Sequence, residues 1–224
     1  MTNSNRFILK PNFHNLGELG LDYQDLLTYI TIRSFYNSNS KYCYPSYKAI
    51  SKLSGLSTYF IGKSIRRLKD AGILSVWGVF GRRRKANWYM FDDHSGLSRI
   101  PFELLLDDEL STNEKAILVL LFEYCKSGFC SESLVEIADK SGVSYRVLNS
   151  YFQPLLLKGY IVESICEDPF NNTLIKYFEF TNKLKWNLCL YHSLTTEPEE
   201  SSIDKLMNII LNPNRKVIIV PRPK

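Results

Sequence analysis

The chain has 224 residues, 45% hydrophobic, 23% charged and 13% aromatic, which suits a folded protein and excludes a largely disordered one. No run approaches the roughly 20 apolar residues of a membrane span, and the polar opening of MTNSNRFILKPNF lacks the apolar segment of a secretory leader, so a cytoplasmic protein with no membrane contact is expected. The net charge of +5 is unevenly spread: residues 13–92 hold 12 Lys and Arg against 5 Asp and Glu (+7), residues 98–181 hold 7 against 13 (−6), and the remainder hold 9 against 5 (+4).

The first predicted helix runs from Asp22 to about Tyr36. Asp22-Tyr-Gln-Asp25 reads as a capping box, a loose one because Asp reaches less far back than Glu. Pro45 precedes a second helix, Ser46–Ser54, at a place where a missing N–H costs little. Gly55 supplies the left-handed backbone of a tight turn, and Ser57 caps a third helix that Gly72 ends. Ile73–Phe80 and Asn87–Phe91 read as a hairpin, and Asp92–Arg99 (DDHSGLSR) as a polar linker.

The layout then recurs. AISKLSGLS at 49–57 matches EIADKSGVS at 136–144, and AGIL at 71–74 matches KGYI at 158–161, at an offset of 87 residues. Ser111-Thr-Asn-Glu114 opens a helix to about Cys125, and a shorter helix spans Ser133–Ser141. Gly142 turns the chain, Ser144 caps a helix to about Lys158, and Tyr160–Cys166 with Leu174–Phe180 form a hairpin. Helix, helix, turn, helix, hairpin is the winged helix-turn-helix order. The expected fold is mainly α with small β-hairpin wings (α+β): two tandem winged helix-turn-helix domains at 13–92 and 98–181. A tail follows at 182–224, with a flexible acidic stretch at 195–202, a short helix at Ile203–Leu211 and a terminal strand or arm, KVIIVPRPK.

On a helical wheel, Ile61, Ile65 and Leu68 form the buried stripe of the third helix. The opposite face carries Tyr59, Lys63 and Arg66, with Arg67 at its margin and Gly62 on the flank. Arg and Lys can donate to guanine edges or phosphates, and Tyr can donate or stack. The residue set expected at double-stranded DNA is Ser57, Tyr59, Lys63, Arg66 and Arg67, joined by Arg82, Arg83, Arg84 and Lys85 at the hairpin tip. A basic tip suits phosphates or a narrow minor groove. Trp77, Phe80, Trp88 and Tyr89 recur along the hairpin and are expected to pack the sheet onto the helices rather than stack on bases.

In the second copy the wheel puts Leu148, Phe152 and Leu155 in the core and Arg146, Ser150 and Gln153 outside, with Asn149 on the flank. Pro154 takes Arg67's place and is expected to kink or end the helix early. Its hairpin, ESICEDPFNNTLIK, has no basic tip. A division of labour follows: the first domain binds DNA, and residues 98–224 serve a homodimer or a protein partner. The alternative is a weak second DNA contact through Arg146, Asn149 and Lys176.

No phosphate loop, dinucleotide fingerprint, zincin or nucleophile-elbow motif is present, so no enzyme activity, cofactor or metal is expected. Cys43, Cys125, Cys130, Cys166 and Cys189 show no C-x-x-C pair and read as reduced thiols; His14, His94 and His192 stand far apart. The runs Asp107-Asp108-Glu109 and Asp92-Asp93-His94 read as solvated loop residues.

YPSYKAISKLSGLSTYFIGKSIRRLKDAGIL (44–74) resembles the winged helix-turn-helix domains of plasmid and phage replication initiators and related bacterial regulators. Tyr44, Pro45, Ser46, Ile50, Gly55, Ser57, Leu68, Gly72 and Ile73 fit that pattern. The resemblance implies sequence-specific duplex DNA binding, often at repeats, in replication initiation or transcription regulation. It departs from an initiator whose two domains both grip DNA, because the second copy is acidic. A protein-interaction adaptor with no specific DNA binding is the alternative from another class.

Overall fold

A computed structural model describes residues 6–13, 15–80, 85–91, 97–125, 129–130, 132–168 and 173–186. In chain order the elements are β1 (Phe7–Pro11), α1 (Tyr23–Arg33), α2 (Tyr47–Ser54), α3 (Thr58–Asp70), β2 (Ser75–Phe80), β3 (Lys85–Met90) and β4 (Leu97–Pro101), followed by α4 (Glu103–Leu106), α5 (Thr112–Tyr124), β5 (Phe129–Cys130), α6 (Leu134–Ser141), α7 (Tyr145–Leu157), β6 (Ile161–Asp168) and β7 (Thr173–Phe180). The architecture is mixed α+β. No described helix is long and apolar enough to cross a membrane.

Local chemistry sets the helix starts. The short Asp25 side chain does reach back, accepting from the Asp22 N–H at 2.8 Å. Ser111 and Glu114 exchange both bonds of a capping box at α5, and Ser133 and Glu136 do the same at α6. Ser46, Ser57 and Ser144 each accept from a backbone N–H three residues on.

The helix order of the first half recurs in the second, but the halves are not separate bodies. From Asp25 to Arg33 every residue of α1 is buried, and from Glu114 to Phe122 every residue of α5 is buried. A helix enclosed on all sides needs neighbours all round. These two corresponding helices of the repeat pack on each other, so one continuous core runs through both copies.

The expected boundaries shift accordingly. β1 pairs antiparallel with β4, from Phe7 opposite Pro101 to Pro11 opposite Leu97. The chain before residue 13 therefore has structure, and the linker assigned to Asp92–Arg99 gives up its last three residues to a strand; residues 92–96 lie outside the described ones. Lys10 of β1 is fully buried against Glu123 of α5, which also accepts the Phe13 N–H. Burial pushes the Lys10 ammonium down from its ordinary value, against the pull of Glu123. At the other end the fold runs past Thr181. Leu184 is buried, and Trp186 lies 4.6 Å from both Phe122 and Phe180. The acidic stretch at 195–202, the helix expected at Ile203–Leu211 and the terminal KVIIVPRPK lie outside the described residues.

The hairpins form much as expected. β2 pairs β3 with Trp77 opposite Trp88, and β6 pairs β7 inside a three-stranded sheet of order β5-β7-β6. Pro154 does not end the helix early: α7 runs through it to Leu157. Proline removes one bond to the carbonyl four residues back. The buried stripe of Leu148, Phe152 and Leu155 holds the helix across that gap.

The turn glycines carry a second constraint that a single copy does not reveal. Gly55 has φ +78°, and a Cβ there would meet Thr112 Oγ1, at the start of α5, at 2.3 Å. Gly142 has φ +74°, and a Cβ there would meet the Gly17 backbone at 3.0 Å. Each turn thus seats against the other copy. Gly159, also at positive φ, faces open space. Gly159→Ala should cost about 1 kcal/mol, the strain of a left-handed alanine. Gly142→Ala should cost clearly more in urea unfolding, because main chain must also move.

Candidate nucleic-acid interface

The surface that could meet DNA begins at the α2–α3 turn. Ser57 accepts from the Phe60 N–H at 3.2 Å and is itself exposed. Along α3, Ile61, Ser64, Ile65 and Leu68 are buried, whereas Tyr59, Lys63 and Arg66 are exposed. Tyr59 is 72% exposed, a high value for a ring of that size, and the Lys63 ammonium lies 4.5 Å from its centroid. Residues i and i+4 share a helix face, so this cation–π contact presents ring and charge together.

Arg67 departs from its expected role. Its Nε and one Nη donate to the two carboxylate oxygens of Asp25, both at 2.7 Å, and the Asp25 side chain is wholly buried. The guanidinium also lies over Phe60. The hydrogen bonds to Asp25 raise the Arg67 pKa, more than burial lowers it. A long side chain at the margin of an exposed face can fold back to a buried partner. Here it does, locking α3 onto the N-terminus of α1 instead of facing a ligand.

A Cβ at Gly62 would stand 3.4 Å from the Tyr47 ring in the first turn of α2, an ordinary contact distance.

The hairpin is partly placed. Phe80 pairs with Lys85 at the closed end of β2–β3. Arg82, Arg83 and Arg84 lie outside the described residues, as does the Lys85 side chain. Asn87 donates to the Tyr47 hydroxyl at 3.3 Å and ties the hairpin to α2. Tyr89 is buried, as expected of a ring packing the sheet on the helices; Trp77 is 64% exposed, contrary to that expectation.

In the second copy, Arg146 is exposed and Asn149 half-buried on α7, and Lys176 is exposed on β7. Lys158 at the C-terminus of α7 grips the capping-box carboxylate of Glu114 at 2.7 and 2.8 Å. This pair is the counterpart of Asp25–Arg67, moved one helical turn because Pro154 stands where the arginine stood. Burial would raise the Glu114 pKa, but the bonds from Lys158 and Ser111 outweigh it and hold the carboxyl below its ordinary range. The carboxylate run is likewise engaged: Asp107 and Glu109 both accept from the Tyr160 hydroxyl. Among the described residues no group of three or more His, Cys, Asp or Glu could hold a metal ion, and Cys43, Cys125 and Cys130 are free thiols.

Tyr42 and Tyr44, neither of them expected as a nucleic-acid contact, join Trp88 in an aromatic cluster. A signal for them was present: from Leu26 to Phe91 the chain holds 12 Lys and Arg and one carboxylate, Asp70.

With this geometry in place, residues 19–74 match a family model described as a helix-turn-helix domain. The span takes in α1, α2 and α3, so the chain contains a helix-turn-helix domain there, of a class that binds DNA. No curated protein matches the chain.

The two neighbouring arginines should separate cleanly. Arg67→Ala leaves the Asp25 carboxylate buried without its partner and should cost about 2–3 kcal/mol in urea unfolding, below the full range for buried pairs because Arg67 keeps a third of its side chain in water. Arg66→Ala should change stability by under about 0.5 kcal/mol.

Proposed function

We propose that the first copy grips double-stranded DNA, with α3 in the major groove and only the basic tip of the hairpin, residues 82–85, against the backbone or minor groove. The observation that carries this reading is the solvent face of α3, where Tyr59, Lys63 and Arg66 stand together on the second helix of a helix-turn-helix domain. Its biological role is sequence-specific recognition in replication initiation or transcription regulation, as the resemblance of residues 44–74 implies.

The second copy is a further winged helix turned to association rather than to DNA. Its net charge of −6 opposes phosphate. Leu157 at the end of α7 is 89% exposed, with Tyr145, Val162 and Ile165 also open, and these suit a protein contact better than a polyanion.

Salt dependence of duplex binding by the full chain tests the reading. Lys63, Arg66 and the four hairpin cations would neutralise about four to six phosphates, for a slope of log K against log salt near −4 to −5. Lys63→Ala with Arg66→Ala should flatten that slope by about 2. Arg146→Ala with Asn149→Ala should cost under about 0.5 kcal/mol; a loss above about 1.5 kcal/mol would mean that the second copy also touches DNA. A wild-type slope near zero would favour the protein-interaction adaptor.

A further inference from the structure

The hairpin of the first copy has two faces of different character. Trp77 and Trp88 are cross-strand partners and share one face; Val76 and Tyr89 are partners on the other. Tyr89 is buried, so its face is the inner one. Cys43 bridges to Tyr89 on the far edge of β3, with backbone bonds of 3.0 and 2.8 Å, and is buried on that same inner side. Alternation then turns its neighbours Tyr42 and Tyr44 to the outer face.

On that outer face Tyr42 stacks on Trp88 with centroids 4.4 Å apart and planes 12° from parallel. Tyr44 lies 6.4 Å from both rings, tilted by 41° and 36°. Tyr44 is 67% exposed and Trp77 64%. Neither ring has the burial that ordinarily accounts for a large aromatic in a small sheet.

We propose that this outer face is a stacking platform for the unpaired bases of a single-stranded nucleic acid. The charge of the surrounding sequence selects that occupant. Lys41, Lys48, Lys52, Lys63, Arg66 and Lys69 are exposed in the stretch from Leu26 to Phe91, against one carboxylate, Asp70, and this excess would set a second copy of the domain against its own charge. A single strand supplies flat π-faces and a phosphate at every step, the pairing that aromatic platforms in cationic surroundings recognise. The platform lies on the hairpin's outer face and not on α3, so it goes beyond the duplex reading and does not require it.

The test uses the full chain and fluorescein-labelled probes: a 20-nucleotide dT strand, a 20-nucleotide rU strand and a mixed-sequence duplex, followed by anisotropy. Tyr44→Ala and Trp77→Ala alter exposed side chains, and unchanged melting curves would establish that both variants fold. Each should weaken binding of at least one single strand fivefold or more, with duplex affinity kept within twofold. Whether dT, rU or both respond names the source of the bases. Trp77→Phe should restore most of the loss, because it keeps a stacking face. Lys63→Ala with Arg66→Ala should weaken duplex binding and keep the aromatic dependence on single strands, so failure of the duplex reading is distinguishable. Single-strand affinity unchanged in both alanine variants would overturn the proposal. So would a loss shared equally by the duplex, or a DNA-free dimer in sedimentation that Trp77→Ala dissolves.

Discussion

A buried carboxylate at the start of each lead helix, gripped by a base from the third helix of the same copy, holds that third helix in place. Asp25 caps α1 and receives Arg67; Glu114 caps α5 and receives Lys158. One carboxylate thus satisfies an orphan N–H of its own helix and fixes the axis of another. A charge buried to this depth is tolerated only when paired. The pair therefore constrains α3 in a way that apolar contacts alone do not. Tyr59, Lys63 and Arg66 face solvent because Ile61, Ile65, Leu68 and Arg67 face inward.

The shared core adds a second level of constraint. α1 and α5 are enclosed by each other and by their own copies, and the turn glycines Gly55 and Gly142 seat against the opposite copy. Neither half keeps its full set of contacts alone. The first holds no carboxylate between Leu26 and Lys69, whereas the second is rich in them. In the proposed division of labour, the second copy's fold is kept because it braces the first, while its surface is free to take another partner.

Much of this was legible in the residues. The glycine and serine spacing located α2, α3, α6 and α7, the capping patterns located α1 and α5, and the wheel of α3 separated Ile61, Ile65 and Leu68 from Tyr59, Lys63 and Arg66. What escaped depends on non-local partners. β1–β4 pairing joins residues some 90 positions apart and leaves no periodic signature in either segment. Arg67 looks like a surface base until Asp25 is placed beneath it. Trp77 and Tyr89 stand in one hairpin with similar propensity, and only register puts one outside and the other inside. Pro154 reads as a helix breaker, yet packing of Phe152 and Leu155 outweighs one missing hydrogen bond.

Whether the exposed face of α3 is the surface that meets duplex DNA can be read directly by amide chemical-shift mapping of the full chain, titrated with a duplex that it binds. Perturbations should concentrate on residues 57–66 and leave residues 144–153 of the second copy unmoved. Perturbations confined to residues 144–153, with 57–66 silent, would contradict a DNA-reading role for α3.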